Sequence, residues 1–241
     1  MKRFVLSLFL LLTLTITSIP VLAQDNPWSV LLVNTTTSKL LRVDQNGNQT
    51  TYDTGLPEYS LSSYGTSVSA DGNRVAYCIT DYTVPEKPVS TLQVYDLVAG
   101  TAVFTLDVGT RLNCSVGQHG FSPDGTQLAV SLLNYFNGDP NADTSLPLWE
   151  IGVYDLASAT EIQSLDASSA LVQGVYAMPD RWTVFPDIRY FDGTSVSFAP
   201  IPWGTEGSAT EAFTWNLAAG TLIATPEWAS SGSFLALPSG S

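Results

Sequence analysis

Few residues in this chain can do chemistry, and their spacing limits what that chemistry is. There are two cysteines, Cys78 and Cys114, and one histidine, His119. In an exported chain such a pair meets an oxidising compartment and forms a disulfide; two unpaired buried thiols are the alternative. A metal pair would need further Cys or His ligands at short spacing. A Ser–His–acid triad would have to use His119, which falls inside a strand two residues before Phe121. A lone histidine there is expected to be packed and hydrogen-bonded and not to act as a base. The sequence has no Gly-x-Ser-x-Gly elbow, phosphate loop or dinucleotide fingerprint, so no cofactor is expected. Asp139-Pro-Asn141-Ala-Asp143 alternates oxygen ligands but lacks the Gly and distal Glu of a calcium loop, so no metal site is assigned. Asn34, Asn48 and Asn113 each open an Asn-x-Ser/Thr glycosylation pattern, which matters only in a source that glycosylates its secreted proteins.

What remains is a set of aromatic side chains with acidic neighbours. Tyr82, Tyr135, Phe136, Trp149, Trp182 and Trp203 lie in or beside long connections that also carry Glu86, Asp139, Asp143, Asp180 and Glu206. Aromatic faces beside carboxylates suit sugars, cationic ligands or a protein partner. The competing reading is that the aromatics pack the loops down and the acids are solvated. Paired carboxylates for glycoside chemistry depend on a separation that only the fold supplies.

Charge narrows the partners. Twenty-two acidic side chains against nine basic ones give a formal net charge of −13. Binding nucleic acid or anionic lipid needs clustered Lys and Arg, so neither is an expected partner. Two of the basic residues, Lys2 and Arg3, form the positive start of a secretory signal. Phe4 to Ile19 is its apolar stretch, Pro20 breaks it, and Val21-Leu22-Ala23 fits the cleavage subsites before Gln24. The apolar run is barely long enough to span a bilayer as an uncleaved anchor. Cleavage leaves residues 24–241 as a secreted or periplasmic protein with no stable membrane anchor.

The elements that must carry these residues are short strands. Val30–Val33, Leu40–Val43, Arg74–Ile79, Leu92–Tyr95, Ala102–Leu106, Gln127–Leu132 and Ile151–Tyr154 are apolar runs bounded by Asp-Gly, Asn-Gly, Pro or Ser-rich turns. No helical-period stretch with caps at both ends follows the signal. Two phrases repeat. Ser69-Ala-Asp-Gly-Asn-Arg-Val-Ala-Tyr77 returns as Ser122-Pro-Asp-Gly-Thr-Gln-Leu-Ala-Val130, and more loosely as Ser230-Ser-Gly-Ser-Phe-Leu-Ala-Leu237. Between them come Val94-Tyr-Asp-Leu-Val-Ala-Gly100, Val153-Tyr-Asp-Leu-Ala-Ser-Ala159 and Thr214-Trp-Asn-Leu-Ala-Ala-Gly220. Self-similarity at this period marks a repeat fold. Asp-Gly turns join strand a to strand b, because Gly accepts positive φ and Asp bonds back to the chain. The second phrase turns strand c into strand d.

Each unit is thus a four-stranded antiparallel meander, the blade of an all-β propeller. Blades are expected at about 64–107, 116–166 and 171–225, with partial units at 28–54 and 228–241. In the third blade Asp192-Gly193 is taken as the a–b turn, ahead of Met178-Pro179-Asp180, which leaves Leu171 to Arg181 as an excursion. Trp228 to Leu237 supplies strands a and b of a further unit. The total is about four blades, either closed into a small ring or left as an incomplete one.

Phe121-Ser-Pro-Asp-Gly125, followed by Leu128-Ala-Val130 and Val153-Tyr-Asp-Leu156, resembles the blade pattern of WD-repeat and TolB-like propellers over roughly Tyr64 to Leu237. Tyr-Asp or Trp-Asn stands where WD repeats have Trp-Asp, and the Gly-His pair before strand a has no clear equivalent. The resemblance implies a rigid platform for protein or small-ligand binding, and less often an enzyme. In an up-and-down blade the b–c and d–a connections share one end, and here they hold the length variation: Asp81–Ser90, Asn134–Leu148, Pro200–Glu211 and Leu171–Arg181. Long loops on a rigid frame usually carry function. The expected function is therefore an exported, non-catalytic scaffold binding a protein or small polar ligand through that face. A carbohydrate-directed enzyme using axial carboxylates is the runner-up.

Overall fold

The computed structural model describes residues 29–61, 65–81, 89–109, 113–134, 145–175, 184–202 and 212–225. Strands β1 (Ser29–Asn34), β2 (Lys39–Asp44) and β3 (Gln49–Asp53) form a three-stranded sheet. Three four-stranded sheets follow. The first is β4 (Thr66–Val68), β5 (Arg74–Asp81), β6 (Val89–Asp96) and β7 (Thr101–Gly109). The second is β8 (Asn113–Ser115), β9 (Gln127–Leu133), β10 (Trp149–Asp155) and β11 (Thr160–Asp166). The third is β12 (Val184–Phe191), β13 (Ser195–Pro202), β14 (Ala212–Asn216) and β15 (Thr221–Thr225). Every described pairing is antiparallel between chain neighbours, so each sheet is a simple meander.

The repeated phrases become repeated corners. At the a–b corner the Ser69 hydroxyl donates to Asp71 at 2.6 Å and accepts the Arg74 amide at 2.9 Å. Ser122 does the same with Asp124 and the Gln127 amide, at 2.6 and 2.9 Å. Gly72 and Gly125 take φ values of +69° and +68°, which a side chain would strain. Asp192-Gly193 makes the third corner, as expected, with Asp192 accepting the Thr194 and Ser195 amides at 2.7 and 2.6 Å. At the c–d corner Asp96 accepts the Val98 and Ala99 amides, both at 2.8 Å, and Asp155 and Asn216 repeat the bond. The leucine that follows each of these residues ties the two corners together. Leu97, Leu156 and Leu217 donate their amides to the carbonyls of Asn73, Thr126 and Thr194, at 2.8, 3.0 and 2.9 Å.

This corner also places the first sheet within the repeat. Asp44 accepts the Asn46 and Asn48 amides at 2.8 and 2.9 Å, and it pairs with Ser29 as Asp96 pairs with Arg74 and Asp155 with Gln127, so β2 to β3 matches a c–d step and β1 a strand b. The sheets stack through three apolar clusters. Leu40 packs with Val75, Tyr77 and Tyr95; Ala76, Leu92 and Val94 pack with Phe121, Leu128 and Val130; Ala129, Ile151 and Val153 pack with Val196, Phe198 and Trp215. Alternate residues of β5 and of β9 therefore face the sheet before and the sheet after, as the two-residue period of a strand requires.

The structure departs from the expected pattern in several places. Among the described residues there is one short helix, α1 (Ala170–Val175), before the third four-stranded sheet. Ser169 caps it: its hydroxyl accepts the Val172 amide and its carbonyl the Gln173 amide. Strand a of the second blade begins at Asn113, so Cys114 is already paired, with Leu132. Among the described residues no helix is long and apolar enough to cross a membrane. Residues 1–23, the expected signal, and 228–241, the expected last unit, lie outside the described residues.

The corner hydrogen bonds predict an acid limb in stability. The Ser69 and Ser122 hydroxyls, followed by backbone amides, hold Asp71 and Asp124 below the ordinary carboxylate value. A carboxyl depressed in the folded state stabilises it above the unfolded pKa, and that contribution is lost as pH falls through the folded value. The melting temperature should decline as the pH drops below about 4. Asp71→Asn and Asp124→Asn should melt lower at neutral pH and show a flatter acid limb in a thermal scan at several pH values.

Candidate functional site

The end of the molecule away from the a–b and c–d corners is fixed by a covalent bond. Cys78, late in β5, is bonded to Cys114 in β8, with Cα atoms 5.7 Å apart. This is the expected disulfide, and it joins adjacent blades. Cys114 is buried among Ala76, Leu92, Val116 and Leu132, so the bond is part of the interface between the blades as well as its clamp.

The aromatic candidates meet different fates. Tyr82, Tyr135, Phe136, Trp182 and Trp203 lie outside the described residues, as do the acidic Glu86, Asp139, Asp143, Asp180 and Glu206. Trp149 is described, and it is not a loop residue. It opens β10 opposite Leu133, is 1% exposed, and packs its ring 6.0 Å from that of Phe198 in the next blade. An indole pressed between two sheets cannot present a face to a ligand, and Trp149 is corrected to a core residue. Its Nε1 and the Ser131 hydroxyl, both in this interface, have no hydrogen-bond partner among the described residues.

The a strands form the other candidate surface, because they touch one another across blades. Ser67 of β4 is fully buried, donates to the Gln118 carbonyl and accepts the Gly120 amide at 3.0 Å. The Phe191 amide of β12 donates to the His119 carbonyl at 3.0 Å. These bonds come from an interruption the sequence did not announce. β8 ends at Ser115, Phe121 resumes pairing with Leu128, and residues 116–120 bulge between them. His119 therefore sits exposed in the bulge, edge-on to Tyr190 at 6.4 Å, and not inside a continuous strand. Gly117 makes the bulge possible: its φ is +60°, and a Cβ there would stand 2.2 Å from the Ile188 carbonyl oxygen.

The carboxylates are mostly committed elsewhere. Asp44, Asp71, Asp96, Asp124, Asp155 and Asp192 all hold turn amides. Asp187, on β12, is different. Burial pushes its carboxyl up, and Arg189 opposes that from 3.1 Å. Its charged partner is a cation. An acid–base pair for glycoside cleavage needs two carboxyls. Among the described residues no cluster of three His, Cys, Asp or Glu side chains could hold a metal. An open groove of about 480 Å³ runs over the first sheet, lined by Leu32, Asn34, Lys39, Leu41 and Thr51.

Meanders of four strands, stacked face to face with their a strands converging, define a β-propeller. Over one hundred solved chains (102) show structural similarity. Hydrazine synthase of Kuenenia stuttgartiensis is 14% identical over 81% of this chain and 44% of its own, with a TM-score of 0.44. TolB from Acinetobacter baumannii is 18% identical over 80% of this chain and 40% of its own, TM-score 0.41. The β-propeller domain of the trilobed protease of Pyrococcus furiosus, with an open velcro topology, is 10% identical over 82% and 66%, TM-score 0.36. The chain thus spans less than half the length of the first two. No protein-family model matches the sequence, and neither does any curated protein.

Two outcomes are expected at this site. Cys78→Ser with Cys114→Ser should lower stability by about 4 kcal/mol, the chain-entropy value for a loop of this length. Denaturant titration with and without reductant measures it, and reductant should leave the double variant unchanged. Gly117→Ala should cost about 2–4 kcal/mol, from left-handed strain added to overpacking against Ile188. A melting curve reads that loss, and Gly174→Ala, where nothing lies within 4 Å, is the control.

Proposed function

We propose that the chain is an exported, non-catalytic propeller that binds a protein partner or a small polar ligand through its b–c/d–a end. One observation carries this reading: the Cys78–Cys114 bond clamps two blades at the end from which the long connections leave. A disulfide persists in oxidising compartments, which supports export to a secreted or periplasmic location. At the opposite end the described corner carboxylates are spent on backbone amides, so those short turns have little left to offer a ligand. Scaffolds of this kind work through loops held on a rigid frame.

The aromatic residues of those connections then supply the recognition surface. Tyr82, Tyr135, Phe136, Trp182 and Trp203 would stack on a sugar ring or a cationic group, or anchor a partner, with acidic neighbours setting the charge. The enzyme alternative rests on Asp187, a desolvated carboxyl on an inner strand, and it would need a second carboxyl facing it. Titration of the secreted protein with neutral oligosaccharides and with a quaternary ammonium probe, followed by tryptophan fluorescence, separates the two readings. Binding predicts a saturable change that Trp182→Ala or Trp203→Ala weakens at least tenfold, with the probe recovered intact. Cleaved oligosaccharide, lost in Asp187→Asn, would replace the scaffold reading with the enzyme.

A further inference from the structure

One face of the third four-stranded sheet is buried without a described neighbour. On β13, Val196 and Phe198 point back into the interface with the second blade. Alternation puts Ser197 and Ala199 on the other face. Their partners across the ladder share it. Ser197 pairs with Thr214 and their hydroxyls are 3.0 Å apart, while Ala212 pairs with Thr225, whose hydroxyl lies 3.0 Å from that of Thr214. An alanine on an open sheet face is wetted. Ala199 is 0% exposed and Ala212 3%, yet neither belongs to a cluster formed by the described side chains.

The repeat names the occupant. Phe121, Leu128 and Val130 pack one blade back onto the face of its predecessor, and they are 6%, 0% and 0% exposed. Phe191, Val196 and Phe198 repeat the arrangement one blade later, with exposures of 1%, 0% and 2%. Trp228, Leu235 and Leu237 have the same spacing as Phe121, Leu128 and Val130, seven residues and then two, around Ala229-Ser-Ser-Gly232 in place of Ser122-Pro-Asp-Gly125. The chain also leaves β15 at Thr225, on this very face, with residues 226–241 still to run.

Size agrees as well. Counted back four residues from the c–d corner, the position is Leu92 in the first blade, Ile151 in the second and Ala212 in the third. Two residues further on it is Val94, Val153 and Thr214. The third blade has given up side-chain volume on this face, while the residue that would meet it has grown from Phe to Trp. Such an exchange offsets part of the volume given up.

We propose that Trp228–Leu237 folds back as strands a and b of a further blade, with Trp228, Leu235 and Leu237 seated on the Ala199–Ala212 face. This face is then an internal interface of the propeller and not a surface for partners. It stands whether or not the b–c/d–a end binds a ligand.

Hydrogen exchange on the full secreted chain, at a concentration where it is monomeric, tests the proposal. Amides of 233–237 and of β13 and β14 should exchange slowly together. Fast exchange across 226–241 beside a protected β13 would overturn it, as would protection that appears only at concentrations where the chain dimerises, since a second copy would then be the cover. A packing exchange supplies the second measurement. Ala212→Leu should lower the melting temperature, and adding Trp228→Phe should recover at least half of the loss. Additive losses from the two changes would sink the idea.

Discussion

Neighbouring blades are registered by contact between their a–b corners. The Gly125 corner rests on Ser69 of the blade before, where a Cβ would lie 3.8 Å from the serine Cβ, and Gly193 rests likewise on Ser122 at 3.6 Å. Arg74 reaches forward to the Gly125 carbonyl at 3.0 Å, and Arg42 of the first sheet donates to the Gly72 carbonyl. Each corner must be narrow and self-satisfied for this stacking to work. A side chain in place of the glycine would strain the turn and push the blades apart. A turn amide left without the aspartate would be an unpaired donor at a packed junction. The Ser-x-Asp-Gly phrase meets both demands, and the apolar faces of the sheets come into register behind it.

The contact has consequences along each blade. The leucine after the c–d aspartate returns its amide to the a–b corner, so two of the three turns in a blade move as one body. The same position before that aspartate carries Tyr95, Tyr154 and Trp215, each nearly buried and each facing the preceding sheet. The Tyr95 hydroxyl donates to the Asp53 carbonyl of the first sheet at 3.1 Å, and the Tyr154 hydroxyl reaches Glu161 within its own blade. A large ring with a polar tip fills the widening gap toward the outer strands and satisfies its own hydroxyl there. At the inner edge the gap narrows. There the second blade has traded regular pairing for the 116–120 bulge, whose glycine lets backbone lie directly on backbone.

Much of this was legible in the chain. The strands β1, β2, β5, β6, β7, β9 and β10 fall where short apolar runs sit between turn residues, and β9 and β10, buried on both faces, are apolar at nearly every position. The disulfide is expected from two cysteines near the same end of adjacent blades. The Asp192-Gly193 corner was preferred over Met178-Pro179-Asp180, and the structure agrees. What the sequence hid was set by neighbours distant along the chain. The bulge at 116–120 looks like ordinary strand until Ile188 occupies the space a side chain would need. Six residues of helix at 170–175 are too few to show a period, and Ser169 is a cap only once the helix exists. Trp149 stands at the end of a long loop in the sequence, and only the arrival of Phe198 from the next blade makes it core.

The sequence alone determined that this is an all-β repeat with Asp-Gly corners, since turn chemistry and two-residue alternation are local properties. The tertiary structure decided which faces are shared between blades and which aromatic is buried. Those outcomes depend on close packing between strands tens of residues apart, and local propensity carries no information about which side chains will meet there.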